Sequence, residues 1–589
     1  MKPTKRISGL AAAVLLAALP AVAQLSGNVS VEGEYLPLVI ETERINVLPG
    51  VVRYNPAIPD INYEFIGKVT DFRPDLLTMG ATPLLPRGPV YRRGFIDLRL
   101  GSWLDSRLHA GLNLLNDSSQ ALTAELKFRS SSLWTTTGIP DSYTPAAKKK
   151  LYDGKLRLNY LKTFSGDDLL DAAAYYRLAY FNYYGSALPL SAIATATELA
   201  YIPTQTVNQG GAALDYSSSS SRLEGWHAGA GVDYTGLRTL YSPLPALGPE
   251  KGDHETVLRL SGGIGIPFAD VNAVAVDADA RFLFCMRNYG VISLRPAYRF
   301  ANSRLAINAG IDLGITYDAM GTTPANDFGA IHVAPDIKVD YALPQVGLFL
   351  HATGGVTPAT LADGLKADLY RLPALLSTTP IYTPLDLEAG VNVGPFYGFS
   401  AQLAFRYAAA RNVPLGGWYQ AYLGAALAAP SPFDAALYTD PYLQAANLHG
   451  CGVGLTLDYA LGTRFGVNFK GEFTPQNGHT GIFNGFDRPR WVLDAKIWGR
   501  PLAKLLLEAE FDYRAGRACY AWAPTDDLPV LKAYRLGVIP NLKARITYSV
   551  LSNLDIYCNA ENILNRHPQL IPGLRMQGVT IQGGVYVRF

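Results

Sequence analysis

Counting back from Phe589, the residues Val587, Val585, Gly583, Ile581 and Val579 fall on one side of an extended chain, and Arg588, Tyr586, Gly584, Gln582 and Thr580 fall on the other. A period of two with apolar residues on one side predicts a half-buried β-strand. The pattern recurs upstream. In 505–514, Leu505, Leu507, Ala509, Phe511 and Tyr513 alternate with Leu506, Glu508, Glu510, Asp512 and Arg514. In 274–282, Val274, Val276, Ala278, Ala280 and Phe282 alternate with Asp277, Asp279 and Arg281, and in 336–341 Asp336, Lys338 and Asp340 interleave with Ile337, Val339 and Tyr341. Charges at every second position belong against water or polar packing, because the same groups are costly on a lipid face. A soluble antiparallel sheet produces the same alternation, so the pattern alone leaves soluble and membrane sheets both open.

The links between these stretches alternate in length. Short ones fall at Asn116–Ser119, Ser165–Asp168, Ser217–Ser221, Ala269–Asp270, Ala301–Ser303, Pro344–Gln345, Leu461–Thr463 and Ser552–Asn553. Long ones fall near 135–150, 186–206, 239–253, 319–327, 359–385, 411–445, 475–488, 521–535 and 566–575. Tight turns on one side and long loops on the other are the habit of membrane barrels, and counting strands from residue 92 gives about 22. That even count requires 411–445, including Trp418–Leu427, to be one outer loop rather than two membrane strands.

The start of the chain decides between soluble and membrane sheets. Residues 1–23 have the form of a secretory signal peptide, with Lys2, Lys5 and Arg6, an apolar stretch Ile7–Leu19 and a small-residue site at Ala21-Val22-Ala23. No later apolar run reaches the length of a spanning helix, so a membrane destination requires a closed barrel, the one strand architecture without unpaired edges. Composition agrees with this: 17% charged residues is low, while 35 Tyr, 23 Phe and 56 Gly supply interfacial girdles, turns and strand bends. The predicted fold is therefore all-β, a transmembrane antiparallel β-barrel of about 22 strands over 92–589. It follows a short, non-barrel periplasmic arm over 24–91, where eight prolines between 25 and 90 break any sustained alternation.

Candidate chemistry is sparse. A net charge of +2 shows no basic footprint and excludes a nucleic-acid partner. His109, His227, His254, His332, His351, His449, His479 and His567 occur singly, outside any metal or nucleophile motif. Cys285, Cys451, Cys519 and Cys558 lack metal or redox spacing. The acids Asp277 with Asp279, and Glu508 with Glu510, are spaced to share a cation, but lumenal solvation accounts for them more simply. No catalytic, cofactor-binding or metal residue is assigned and no cofactor is expected. Ala146–Lys150, a basic run assigned to an outer loop, could meet anionic lipid headgroups, but an ordinary solvated loop end accounts for it more simply. The loops 359–385, with Tyr370-Arg371-Leu372-Pro373, and 411–445, with Tyr438–Tyr442, are the first candidates for ligand or protein contact, or for closing the barrel mouth.

Tyr557-Cys558-Asn559-Ala560-Glu561-Asn562-Ile563-Leu564-Asn565-Arg566, followed by Gly583-Gly584-Val585-Tyr586-Val587-Arg588-Phe589, resembles the ending of TonB-dependent receptor barrels. That family carries an Asn-Leu-Phe-Asn-like motif before a glycine- and aromatic-rich last strand; here Ile563-Leu564 replaces the Leu-Phe. Alternation running to Phe589 also resembles the carboxy-terminal signal read by the barrel-assembly machinery, which the resemblance implies as a partner beside outer-membrane lipid. The family's plug domain exceeds a hundred residues, whereas only about 65 separate the signal peptide from the first predicted strand, so a complete plug is not expected. Val29–Gly33 could pass for a TonB-box-like strand, though so short an alternation is common by chance. The segment from Val31 to Pro49 resembles the arm of plugless, receptor-like barrels. Two functions follow as expectations: passage of a small solute across the outer membrane, or a scaffold in an outer-membrane complex with a periplasmic or surface protein partner. An enzyme is not expected.

Overall fold

The computed structural model describes residues 93–589 apart from 103–104, 118, 135–147, 165–167, 184–203, 219–224, 241–249, 286–287, 319–330, 368, 370–379, 423–434, 475, 479–488, 524–529 and 572–573. The signal peptide over 1–23 and the arm over 24–91 lie outside the described residues. Extended chain begins with β1 (Gly94–Gly101), β2 (Ser106–Asn116), β3 (Gln120–Trp134), β4 (Lys148–Thr163) and β5 (Leu169–Asn182). It continues through β6 (Thr204–Ser217), β7 (Gly225–Leu237), β8 (His254–Ala269), β9 (Asn272–Phe284), β10 (Tyr289–Ala301) and β11 (Leu305–Asp318). Next come β12 (Ile331–Ala342), β13 (Val346–Thr357), β14 (Ile381–Phe396), β15 (Phe399–Tyr422), β16 (Ala435–Leu461) and β17 (Phe465–Phe473). The last are β18 (Trp491–Leu502), β19 (Leu505–Ala515), β20 (Ile539–Leu551), β21 (Leu554–Glu561) and β22 (Thr580–Arg588).

Each strand pairs antiparallel with the one before it, and β22 pairs with β1, so the sheet closes on itself as a barrel of 22 strands. The closing register runs from Phe95 opposite Arg588 to Gly101 opposite Gln582. It is finished by Gly94 N–H donating to the Phe589 carbonyl at 2.9 Å and Phe589 N–H returning to the Gly94 carbonyl at 3.0 Å. Gly94 has to be glycine at this join: a Cβ there would lie 2.6 Å from the Gly111 carbonyl oxygen and 2.9 Å from the Phe589 ring.

The predicted faces are the observed ones. Val274 and Val276 on β9 are exposed on the outside, while Asp277 and Asp279 turn inward with side chains near one-fifth exposed. On β12, Ile337 and Tyr341 point out, and on β22 Ile581 and Val585 do the same. Leu507 on β19 is outward, and Glu508, Glu510 and Asp512 form ion pairs inside. The apolar outer band is bordered by aromatic residues at both ends. Phe164, Trp226, Phe268, Tyr298 and Tyr397 mark the short-turn end, and Tyr152, Tyr234, Phe284, Tyr317 and Trp491 the long-loop end. Such girdles sit where hydrocarbon meets headgroups.

Connections alternate as expected, with refinements. Tight turns also join β14 to β15 at Tyr397-Gly398 and β18 to β19 at Ala503-Lys504. Two connections on the long-loop side are short, 102–105 and 285–288. The stretch 411–445 is not a single loop. β15 and β16 carry their pairing outward from Val413 opposite Ala446 to Tyr422 opposite Ala435, which makes one tall hairpin of strands 24 and 27 residues long. No extra membrane strand results, so the even count survives. Likewise Lys148–Lys150, read as a loop end, open β4.

In the turn between β2 and β3, the Asp117 carboxylate accepts from Ser119 N–H and Gln120 N–H, each at 2.8 Å, and from the side chains of both residues. These donors, the Ser119 N–H foremost, hold its carboxyl down at about 2. A depressed pKa contributes stability above the ordinary carboxylate range that is lost as pH falls through about 2. Asp117→Ala should therefore lower the thermal unfolding midpoint at about pH 7 and change nothing below about pH 2. A second prediction tests the faces. Leu350→Arg, on the outer face of β13, should cost about 2–4 kcal/mol in reversible unfolding, whereas His351→Arg, facing inward onto Asp340, should cost under about 1 kcal/mol.

Candidate functional site

The inner wall is charged along its whole length and compensated nearly everywhere. Arg177 makes a bidentate pair with Asp153, Nε to Oδ1 at 2.8 Å and Nη2 to Oδ2 at 2.7 Å. Arg406 holds Asp386 the same way. On β18–β20, Arg514 meets Asp494 at 2.6 Å, Lys496 meets Glu508 at 2.9 Å, and Lys543 reaches Glu510 at 3.1 Å and Asp512 at 2.5 Å. Most partners sit one diagonal step away on the neighbouring strand, within reach of long side chains. The acids spaced to share a cation are used up in this way: Asp277 takes Arg299 at 2.5 Å and Asp279 takes Arg281 at 2.9 Å. Among the described residues no group of three or more His, Cys, Asp and Glu is placed to hold a metal ion.

The histidines remain dispersed. His109 bonds Glu125 at 2.7 Å, His351 bonds Asp340 at 3.0 Å, His332 packs on Tyr382, and His567 contacts the Met576 carbonyl at 3.2 Å. His479 lies outside the described residues. Cys451 and Cys558 are exposed, on the outward faces of β16 and β21.

The outer mouth is built differently. There the inward positions of β8–β10 and β13 turn apolar, and Val257, Leu283, Tyr289, Val291 and Val356 form a buried cluster with Tyr382 packed against it. The connection from β13 to β14 folds back over this end. It contains a short helix, α1 (Leu361–Ala367), whose Leu361 and Leu365 are buried. Thr360 caps α1, with its hydroxyl accepting from Asp363 N–H at 3.0 Å and donating to the Asp363 carboxylate at 2.8 Å. Glu255 on β8 then fixes α1 to the wall. Its carboxylate, only 1% exposed, accepts from Leu361 N–H at 3.0 and 2.9 Å. Tyr289 adds a hydroxyl donated to the Ala359 carbonyl at 3.2 Å. Sequence reasoning chose this loop for its length but missed Glu255, which no local pattern marks because its partner is 106 residues away. Tyr370-Arg371-Leu372-Pro373 lies outside the described residues.

Across the mouth, β19 and β20 are also prolonged outward, as a hairpin of Arg517–Ala523 with Val530–Leu536. It meets the tall β15–β16 hairpin through parallel pairing of Trp418 with Ala521 and Tyr419 with Trp522. Tyr438–Tyr442, chosen from sequence as loop residues, belong to this raised strand.

The terminal motif has a structural task at this same end. Asn562, 1% exposed and with φ of 51°, donates through Nδ2 to the Arg566 carbonyl at 2.7 Å and the Gln577 carbonyl at 2.5 Å, and accepts from Arg566 N–H at 3.2 Å. Asn565, also left-handed at 49°, accepts from Val579 N–H at 3.3 Å. Asparagine tolerates that backbone and bonds locally, which explains both positions. Ile563 and Leu564 between them are exposed, so the exchange of Leu-Phe for Ile-Leu leaves the loop anchor untouched.

No family model and no curated protein matches the chain. Solved structures match it through the barrel. The FrpB iron transporter from Neisseria meningitidis is similar with a TM-score of 0.59 at 8% identity, over 84% of this chain and 81% of that one. The siderophore receptor PirA from Acinetobacter baumannii gives 0.59 at 9% identity, over 85% and 81%. The ferripyoverdine receptor of the outer membrane of Pseudomonas aeruginosa, bound to ferripyoverdine, gives 0.56 at 11% identity, over 85% and 72%. The chain has the barrel fold of outer-membrane iron and siderophore receptors. At these identities the likeness is one of fold, so the receptor-type barrel has to be read from its own residues.

Glu255 is the residue on which the folded-in loop depends. Glu255→Ala should uncap Leu361 and expose a buried N–H, costing the loop about 1–3 kcal/mol of local stability. Amide hydrogen exchange should then quicken selectively over 358–369 while β8 and β9 stay protected.

Proposed function

We propose that this receptor-type barrel resides in the outer membrane, reached through the 1–23 signal peptide, and passes a small solute through its lumen. The observation that carries the reading is the contrast within the inner wall: ionic residues pair along its length, while an apolar cluster at the mouth holds a folded-in loop. A polar lining suits a hydrated path, and a tethered loop at one end suits control of entry. The neighbours' fold supports transport, since they include an iron transporter and siderophore receptors. The barrel is read as working without a full plug of its own, a reading supported by the roughly 65 residues between the signal peptide and the first strand, against well over a hundred in a plug. A non-enzyme is the reading that the neighbours, an iron transporter and a siderophore receptor, support.

The tall hairpin favours a second reading, a scaffold, because a neighbour of the same fold is known as a complex of FpvAI with pyocin S2, a protein partner. Two measurements separate them. In planar bilayers the purified full chain should show only brief openings, and removal of 358–380 should convert these into steady conductance several-fold larger. Large, steady current from the unaltered chain would sink the idea of a closed mouth. In cells, stoichiometric partners lost on deleting 25–90, without any solute-specific uptake defect, would favour the scaffold.

A further inference from the structure

Glu255 is held differently from the other acids of the wall. Asp153, Asp386, Asp494 and Glu508 each face a basic side chain, whereas Glu255, buried at the mouth, accepts from backbone N–H groups of α1. It stands above the outer girdle, one residue beyond Thr256, which is opposite Tyr234, and so outside the lipid-spanning part of β8.

The elements packed around it supply no counterion. On β8 itself, Arg259 lies two inward positions deeper and reaches over Gly231 of β7, while His254 stacks on Tyr234 at the outer face beside Asp253. On β7 the residue directly opposite is Thr235, and Asp233 further in accepts from the Tyr175 hydroxyl. On β9, Arg281 is taken by Asp279, and β10 presents Tyr289, whose hydroxyl goes to the Ala359 carbonyl. β13 and β14 present Val356 and Tyr382, with His332 of β12 packed on the Tyr382 ring. On α1, Lys366 in the last turn is exposed, and Asp363, the charge that bears on Glu255, has the same sign.

An ionised carboxyl in this position loses its hydration and is repelled by Asp363. A protonated one avoids both costs, and its carbonyl oxygen still accepts from Leu361 N–H. Burial, partly offset by the N–H groups of Leu361 and Ala362, pushes the Glu255 carboxyl up to about 7. With α1 lifted, the carboxyl meets water and returns to its ordinary range.

We propose that Glu255 makes α1 a proton-dependent latch on the outer mouth, seated while the carboxyl is protonated and released as it ionises. A pKa that is higher in the seated than in the released state favours seating fully below the ordinary 4.5, and that contribution is lost as pH rises through about 7. Between those limits seating weakens by about tenfold per pH unit. The latch rests on the reading of the folded-in loop as control of entry and adds what controls it: acid holds the mouth shut, and neutral to alkaline surroundings free it.

The latch is read in the purified full chain by amide hydrogen exchange over α1, each rate divided by the intrinsic rate at the same pH. Protection there should fall about tenfold or more from pH 5 to pH 8, with β8 and β9 unchanged. Glu255→Gln keeps the volume and the acceptor oxygen but cannot ionise, so its α1 should stay protected at both pH values. Equal protection at pH 5 and pH 8 in the unaltered chain overturns the latch. So does a Glu255→Gln variant whose protection still falls, because the titration then belongs to another group, such as His254 or His332. Should the glutamine variant not fold, His254→Gln and His332→Gln carry the test: both should keep the fall, and its loss in either overturns the assignment to Glu255. A barrel that shows the Glu255-dependent fall yet passes no current at either pH keeps the latch and loses the passage reading.

Discussion

A strand in lipid has no solvent to bond its backbone, so every N–H and carbonyl in the membrane must find a neighbouring strand. All else in this protein depends on the ladder closing between β1 and β22. Closure with antiparallel neighbours throughout demands an even number of strands, because the last must run against the first. It also fixes which way side chains point: once the sheet is a cylinder, one alternate set meets hydrocarbon and the other the lumen. The join is the place where closure could fail, and it is made from the smallest residue, Gly94, the terminal Phe589 and a register of seven paired residues.

A cylinder this wide keeps opposite walls too far apart for their side chains to interdigitate. The inner surface therefore cannot be satisfied by packing across the bore, and its charges pair along the wall instead, with partners on the next strand or two residues along the same one. Such half-buried pairs contribute modestly one by one, but together they make a polar lining whose geometry is set by the sheet. Narrowing must then come from segments that leave the wall, and α1 is one of them. It is held by means the wall does not use elsewhere, an apolar cluster and a buried carboxylate accepting backbone N–H groups.

The faces of 274–282, 336–341, 505–514 and 579–589 were legible in the sequence because lipid writes a strict period of two onto any strand that crosses it. Where strands rise above the lipid, that pressure ends. Residues 411–422 and 435–445 carry Ala, Gly and Pro without an outward apolar file, so they read as loop although their pairing continues. The turns at Tyr397-Gly398 and Ala503-Lys504 were hidden for another reason: both are too short to interrupt the apolar pattern around them. Long-range contacts left no local trace at all. Glu255 looked like any lumenal acid until the fold brought Leu361 to it, and a row of arginines exists only once register places Arg99, Arg107 and Arg129 side by side.

The two short external connections make the mouth uneven, and their chemistry differs. Behind 285–288 lie Leu283, Tyr289 and Val291, already buried in the cluster beneath α1. Behind 102–105 lie Arg99, which donates to the Tyr557 hydroxyl, and Arg107, paired with Asp105 and Glu561. The β15–β16 and β19–β20 hairpins stand tall elsewhere on the rim and lean together through Trp418 and Tyr419. The outer mouth thus combines a raised hairpin pair, an apolar cluster seating α1 and a polar wall beside the join. The same join that completes the backbone ladder also gathers charge on one ring, because the glycine that lets Tyr557 lie across β22 lets Arg99 and Arg545 converge on it.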